Sequence, residues 1–119
     1  MPVLTVQNRL SPFFREALGT GVVAHCSAAG IGFLAYSPVG GGRLNLKLPQ
    51  VAVLQPIAAA HGATPHAVVL AWVLAQGPTV IVIPGARTVE HALDSASAGS
   101  LVLTPPDLAA IDAAEFSRA

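Results

Sequence analysis

The feature of this sequence that most constrains its fold is an alternation of short, uncharged apolar runs with longer alanine-rich segments. Residues 31–36 (IGFLAY) and 80–83 (VIVI) carry no charge, and Ser37-Pro38 and Pro84-Gly85 end them. A strand that is apolar throughout is typical of a parallel sheet covered on both faces. Residues 3–7 form a further β-branched run, which we predict as the first of three strands.

Helix start and stop signals occupy the segments between these runs. Gly30 predicts the end of a helix over residues 21–29, because glycine readily adopts the left-handed conformation of a helix C-cap. Gly62 ends a second helix, over residues 51–61, in the same way. Thr64-Pro65 is an N-cap followed by proline at the first helical position, which predicts the start of the next helix.

Two further helices and one loop complete the prediction. Thr88 caps a helix that ends near residue 97, and Thr104 begins the last helix, with Asp107 placed as the N3 acid of a capping box. Residues 39–49 include a run of glycines and predict a loop. The resulting order, βαβ(αα)β(αα), is that of an α/β domain with a parallel sheet.

Composition excludes several classes of protein. The chain has 119 residues, enough for one domain, and its 6 basic residues balance its 6 acidic ones. The basic residues are scattered, whereas a nucleic-acid or anionic-membrane surface requires a basic cluster. One cysteine, Cys26, excludes a disulfide scaffold, and the most apolar stretch, residues 67–75, is shorter than the about 18 residues that span a bilayer. We therefore expect a packed cytoplasmic domain without nucleic-acid or membrane partners.

Two glycine patterns match a dinucleotide fingerprint but lack its context. Residues 19–24 fit GxGxxA without a preceding strand or an acid about 20 residues later, and residues 30–35 fit it but lead into a strand. We assign neither to a nucleotide. The histidines and the cysteine offer no i,i+4 pair and no HExxH motif, so we predict no metal site.

Two loops follow the predicted strands at the edge where α/β folds hold ligands. Residues 40–42 are glycines that precede Arg43, and the backbone N–H groups of such a loop can cradle a phosphate, although a flexible surface turn explains these residues equally well. After the third strand, Arg87 immediately precedes the helix start at Thr88. A guanidinium beside a helix N-terminus favours an anion, with a simple solvated charge as the alternative.

Six segments, in their order along the chain, resemble the aldo-keto reductase family and cover the chain almost from end to end. These segments are VQNR (6–9), GIGFLAYSPVG (30–40), HGATP (61–65), LAWVL (70–74), VIPGAR (82–87) and TPPDL (104–108). The resemblance implies the C-terminal part of a (β/α)8 barrel, with about three parallel strands, from an enzyme that reduces aldehydes and ketones with NADP(H). A whole barrel takes about 250 residues, so residues 1–119 would be a partial domain holding strands six to eight.

The resemblance also implies which residues meet the nicotinamide end of the cofactor. Gln7 matches a residue that hydrogen-bonds the nicotinamide carboxamide, and Tyr36 matches the aromatic ring that stacks on the nicotinamide. The loop that approaches the pyrophosphate comprises Ser37, Pro38, Val39 and Gly40.

At the adenosine end, the resemblance is close but incomplete. Arg87, two residues after Gly85 of the cofactor loop, matches a position near the adenosine 2′-phosphate, and His91 matches one that is commonly a long polar or basic residue. Asp94 and Ser95 stand where the family usually has Glu-Asn. Asp94 can still accept a hydrogen bond from the adenine amine, whereas Ser95 is shorter than the usual Asn.

The resemblance assigns no catalytic residue to this chain. The family's Asp, Tyr, Lys and His tetrad lies on earlier strands, and Tyr36 matches the stacking tyrosine rather than the general acid that carbonyl reduction needs. We therefore expect the chain alone to be inactive. Bare sheet edges and an apolar inner face imply self-association, a complementing chain, or marginal folding. Two alternatives stay open: a non-catalytic nucleotide-binding or assembly module, and a truncated remnant of a longer gene.

Overall fold

The computed structural model describes residues 2–119, in which three parallel strands form one sheet. The strands are β1 (Thr5–Arg9), β2 (Gly32–Tyr36) and β3 (Val80–Ile83), in the spatial order β1-β2-β3. Arg9 pairs with Tyr36, and Tyr36 pairs in turn with Ile83. The carboxyl ends of all three strands therefore meet at one edge of the sheet.

Within these residues, six α-helices and two 3-10 segments connect the strands. The α-helices are α1 (Glu16–Gly19), α2 (Val22–Ala29), α3 (Leu54–His61), α4 (Pro65–Leu74), α5 (Val89–Ser97) and α6 (Pro105–Ala113), and the 3-10 segments are Leu44–Gln50 and Ala98–Ser100. This alternation of parallel strands with helices confirms the predicted α/β class.

The helix caps confirm the predictions made from single residues. Thr64, Thr88 and Thr104 each accept a hydrogen bond from a backbone N–H in the first turn of the helix that they begin. Thr104 and Asp107 form the complete capping box. The two glycines that end α2 and α3 adopt the left-handed conformation, as predicted.

The first strand is displaced from its predicted position. It spans Thr5–Arg9 rather than residues 3–7, and the Leu10 N–H continues the pairing by donating to the Tyr36 carbonyl. Pairing with β2 decides the position of this strand, because a strand's β-branched residues favour extended structure without fixing its register.

Two other boundaries differ from the sequence prediction. Residues 39–49 are not entirely a loop, since Leu44–Gln50 forms a 3-10 helix that buries Leu44 and Leu48. The third helix begins at Leu54 rather than residue 51, because residues 51–53 form a turn before it. The first difference reflects the burial of Leu44 and Leu48, which local propensity does not take into account.

The hydrophobic core lies between the helices and one face of the sheet. Side chains alternate across a strand, and Phe33, Ala35 and Val80 point to the core face, where all three are buried. Residues 67–73 of α4 are buried without exception, as expected for a helix that is apolar all round. At the rim of this core, the Trp72 indole N–H donates to Asp112 Oδ1 over 2.9 Å.

The opposite face of the sheet is uncovered within residues 2–119. We call it the open face; it carries Leu34, Tyr36, Ile81 and Ile83, and the two isoleucines are 52% and 44% exposed. β1 and β3 each pair on one side only among the described strands. The prediction of a sheet covered on both faces is therefore wrong for these residues, because helices pack on a single face, as they do around a barrel.

In the described part of the chain, no single helix combines the length and apolarity needed to cross a bilayer. α3 and α4 reach that length only when they are taken together, and they bend by 93° at the break between them.

Candidate functional site

The residues predicted for the nicotinamide end lie together on the open face. Tyr36 ends β2, is 40% exposed and stands in register with Arg9 of β1. Gln7 lies two residues before Arg9, so its side chain points to the same face, where it is exposed. An aromatic ring at the carboxyl end of β2 and a carboxamide in the middle of β1 are thus presented on the same face of neighbouring strands.

The loop after β2 has a backbone that is set by three left-handed residues. Ser37, Gly40 and Gly41 have φ angles of +47°, +98° and +87°. The Gly40 N–H donates to the Ser37 carbonyl over 2.9 Å, which closes a turn. Asn45 holds the other end, because its side-chain amide donates to the carbonyls of Gly41 and Gly42 over 2.6 and 2.8 Å.

This loop offers backbone donors to an anion. Within residues 2–119, the N–H groups of Val39, Gly41 and Gly42 have no acceptor. Pro38 is fully buried and Val39 packs against the core, so the loop is anchored rather than loose. Successive N–H groups in such left-handed turns form anion-binding concavities. The glycine loop therefore has the properties of a phosphate site.

Arg43 does not complete this site, because it is engaged elsewhere. Its guanidinium donates to the carbonyls of Arg118 and Ala119, over 2.5 and 3.3 Å. The Lys47 ammonium likewise donates to the carbonyls of Ser117 and Ala119, over 2.8 and 2.9 Å. Both cations fix the last residues of the chain against the 3-10 segment.

The loop after β3 presents an unpaired cation beside a helix start. Arg87 is exposed and makes no hydrogen bond or ion pair among the described residues. Thr88 caps α5 by accepting the His91 N–H over 3.1 Å, and the His91 side chain is exposed. Gly85 has open space around its Cα. The guanidinium and the helix N-terminus together favour an anionic ligand.

Asp94 has a partner that the sequence did not indicate. It lies on α5 and is half-buried, and its Oδ2 accepts a hydrogen bond of 2.7 Å from the Thr64 hydroxyl. A cavity of about 270 Å³ adjoins this pair, between the turn joining α3 to α4 and the helix α5. A second cavity of about 270 Å³ lies beside Tyr36, between the end of β1 and α1.

A carboxylate that accepts two hydrogen bonds lies apart from the loops after β2 and β3. The His61 ring is 2.8 Å from Asp107 Oδ2, and the Thr104 N–H donates to the same oxygen over 3.0 Å. These hydrogen bonds, that of His61 first, hold the pKa of Asp107 below its usual value. Among residues 2–119, no three His, Cys, Asp or Glu side chains are grouped as a metal site requires.

The fold and the two loops define an α/β unit of the barrel type, with two candidate anion-binding loops at the carboxyl edge of its strands. The sequence model of the aldo/keto reductase family matches residues 1–115. The chain therefore belongs to the aldo/keto reductase family, which confirms the resemblance seen in its motifs.

Individual relatives agree with this assignment. The chain is 32% identical to aldo-keto reductase str7 of Strobilurus tenacellus, over 92% of this chain and 41% of the relative. It is 35% identical to pyridoxine 4-dehydrogenase of Escherichia coli, over 70% of this chain and 28% of the relative. The chain thus spans less than half the length of these relatives.

Solved structures show the same fold. An aldo-keto reductase from Klebsiella pneumoniae, solved in complex with NADPH, superposes with a TM-score of 0.80 at 30% identity, covering 91% of this chain and 38% of that one. Aldose reductase from Giardia lamblia gives a TM-score of 0.76 at 29% identity, covering 92% and 36%. The three strands and their helices therefore correspond to about two fifths of an aldo-keto reductase barrel.

Proposed function

We propose that β1, β2 and β3 are the sixth to eighth strands of an aldo-keto reductase barrel and carry the NADP(H)-binding side of an aldehyde or ketone reductase site. The observation that carries the proposal is the grouping, on one sheet edge, of the exposed Tyr36 ring, the glycine loop and the unpaired Arg87. These match an aromatic nicotinamide, a pyrophosphate and a 2′-phosphate. The NADPH held by the Klebsiella pneumoniae relative supports this choice of ligand.

Each part of the cofactor has its own group of residues in this proposal. Tyr36 stacks on the nicotinamide, and the Gln7 amide hydrogen-bonds the carboxamide from the neighbouring strand. The pyrophosphate binds the loop of Ser37, Pro38, Val39 and Gly40. When bound, the dihydronicotinamide supplies the hydride for carbonyl reduction, and these residues orient it.

The adenosine end binds α5 and the loop before it. Gly85 faces open space, since no atom lies within 4 Å of the position that an added Cβ would occupy. Because glycine has no side chain, the ribose phosphate can approach the backbone closely there. Arg87 meets the 2′-phosphate, with His91 one helical turn further on. Asp94 accepts a hydrogen bond from the adenine amine.

We propose further that residues 1–119 do not reduce carbonyls by themselves. Reduction needs a general acid that protonates the carbonyl oxygen. Tyr36 is the single tyrosine of the chain and is assigned to stacking, while Lys47, the single lysine, donates to backbone carbonyls at the other end of the chain. We expect no aldehyde-dependent oxidation of NADPH by this polypeptide alone.

The open face supports a role for further strands, supplied by a second copy or by a complementing chain. Ile81 and Ile83 expose apolar surface there, and the outer edges of β1 and β3 have unpaired backbone groups. Sedimentation of the 119-residue chain tests this part of the proposal. A strictly monomeric, folded chain at every concentration rules out the second copy and leaves the complementing chain as the source of the strands.

NADPH binding, followed by fluorescence titration, tests the cofactor assignment. We expect saturable binding to the parent chain, and we expect Arg87→Ala to weaken NADPH by about tenfold, the effect of one hydrogen bond to a charged group. NADH is the matched control, because it lacks the 2′-phosphate and its affinity should not change. Equal loss for both nucleotides refutes the role of Arg87. A folded parent chain that binds neither nucleotide refutes the cofactor proposal and favours an assembly module.

A further inference from the structure

We infer that Thr64 is a positioning residue that orients the Asp94 carboxylate toward the adenine amine of the bound nucleotide. The Thr64 hydroxyl and Asp94 Oδ2 are 2.7 Å apart, although 30 positions separate the two residues in the sequence. The inference rests on the NADP(H) site proposed above. It adds to that site the N-cap residue of α4, which the motif resemblance did not connect to the cofactor.

The Thr64 hydroxyl makes two hydrogen bonds of opposite direction. Its oxygen accepts the Ala67 N–H over 3.0 Å, which caps α4, and its proton goes to Asp94. The cap holds the Thr64 oxygen at the helix start, so the position from which the hydroxyl donates to Asp94 is also fixed. Serine and threonine supply both an acceptor and a donor from one small group, whereas an aspartate cap accepts only.

Asp94 is left with one oxygen for a ligand. Within residues 2–119, Oδ2 of Asp94 accepts the Thr64 bond while Oδ1 accepts none. The side chain is half-buried and borders the cavity of about 270 Å³ between α5 and the α3–α4 turn, which Ser97 and Leu101 also line. A carboxylate held at one oxygen and open at the other fits an N–H donor such as the exocyclic amine of adenine.

The hydrogen bond lies at the protein surface, since Thr64 is exposed. Solvent competes with such a contact, so its contribution to folding is small. Its effect is instead to restrict the Asp94 side chain to one orientation before the ligand arrives, which reduces the ordering cost of binding. The role of Thr64 must therefore be read from ligand discrimination rather than from stability.

The test compares NADPH with its hypoxanthine analogue, in which a carbonyl oxygen replaces the adenine amine. Both nucleotides are titrated against the 119-residue chain, and the ratio of the two dissociation constants is the readout. We expect the parent chain to prefer NADPH by about tenfold, because the analogue presents an acceptor to the carboxylate. Asp94→Asn should abolish this preference, since an amide can donate to the analogue's oxygen.

Three substitutions of Thr64 separate orientation from helix capping. Thr64→Val removes both hydrogen bonds and should lower the preference toward parity, while Thr64→Ser should retain it. Glycine is also a favoured N-cap residue and has neither a donor nor a charge, so Thr64→Gly should fold and still lose the preference. Thr104→Val removes the cap of α6 instead, and it is expected to leave the preference unchanged.

The outcomes distinguish this inference from the proposal on which it rests. If the folded parent does not bind NADPH, the cofactor proposal fails and the role of Thr64 fails with it. If the parent binds NADPH and Asp94→Asn loses the preference, but Thr64→Val and Thr64→Gly keep it, only the inference about Thr64 is overturned. A loss of preference in Thr104→Val would show that helix capping, and not the contact with Asp94, controls the ratio.

Discussion

Replacing Gly40 with alanine tests how tightly the loop after β2 is fixed to the core. An added Cβ would lie 2.7 Å from Phe13 Cδ2 and 2.9 Å from Leu44 Cβ, and both neighbours are buried, so neither has room to move away. Overpacking of this kind costs about 1–3 kcal/mol. The left-handed φ of +98° adds about 1–2 kcal/mol for a residue with a Cβ. Gly40→Ala should therefore lower the free energy of unfolding by about 2–5 kcal/mol.

Gly41 and Gly42, the next two residues, are matched controls that separate the steric contribution from the backbone contribution. Gly41 is also left-handed, with φ of +87°, but an added Cβ would approach only Ser37 Oγ, at 3.8 Å. Gly41→Ala should therefore cost only the backbone contribution of about 1–2 kcal/mol. Gly42 has neither a left-handed backbone nor a neighbour within 4 Å, so Gly42→Ala should change stability by no more than about 0.5 kcal/mol.

Urea unfolding followed by the fluorescence of Trp72, the single tryptophan, measures all three variants. Trp72 is 1% exposed, so its emission reports loss of the core. Equal destabilisation by Gly40→Ala and Gly41→Ala would refute the steric argument, because only the first adds a close contact. A destabilising Gly42→Ala would show that the loop is constrained by contacts other than those described.

Two further predictions concern the Tyr36 ring on the open face and the hydrogen-bonded Asp107 carboxylate. Tyr36→Ala should weaken NADPH binding by about 1 kcal/mol, the contribution of aromatic stacking, whereas Tyr36→Phe should not; unchanged affinity in the alanine variant excludes the ring from the site. The lowered pKa of Asp107 means that its contribution to stability is present above the unfolded-state pKa of about 3.9 and is lost as pH falls through the lower folded-state pKa. As pH falls below about 4, the urea midpoint should therefore decrease more steeply for the parent than for Asp107→Asn. Glu115→Gln, which removes an exposed carboxylate, is the control and should follow the parent. Parallel curves for the parent and Asp107→Asn would contradict the role given to Asp107.

Local signals in the sequence predicted the helix boundaries that depend on local chemistry. The caps at Thr64, Thr88 and Thr104 are each satisfied within one turn, so the residues that decide them are adjacent in the chain. Arg15 shows the opposite case. Its guanidinium donates to the carbonyls of Ile111, Asp112 and Ala114, which are 96 to 99 positions away. No spacing rule relates such partners, because the tertiary fold alone brings them together.

The open face marks a different limit of prediction from sequence. The run over residues 31–36 is apolar throughout, and the apolar side chains of a buried strand look the same whether helices or further strands cover them. Phe33 faces the helices, while Leu34 faces the side that is uncovered within residues 2–119. The candidate cofactor residues were found through motif resemblance, but the contact from Thr64 to Asp94 joins two motifs and belongs to neither.

The two ends of the proposed cofactor site depend on different parts of the molecule. Pro38 and Leu44 anchor the phosphate loop in the core on the helix side of the sheet, and Thr64 connects α5 to α4, the most buried helix. Neither contact involves the open face, so the phosphate and adenosine contacts do not require that face to be covered. Tyr36, in contrast, presents its ring on the open face itself. Strands that cover this face would therefore act mainly on the nicotinamide end, where they would confine the ring and exclude water. The proposed adenosine contacts would instead depend on α5 and α4, which pack together within residues 2–119.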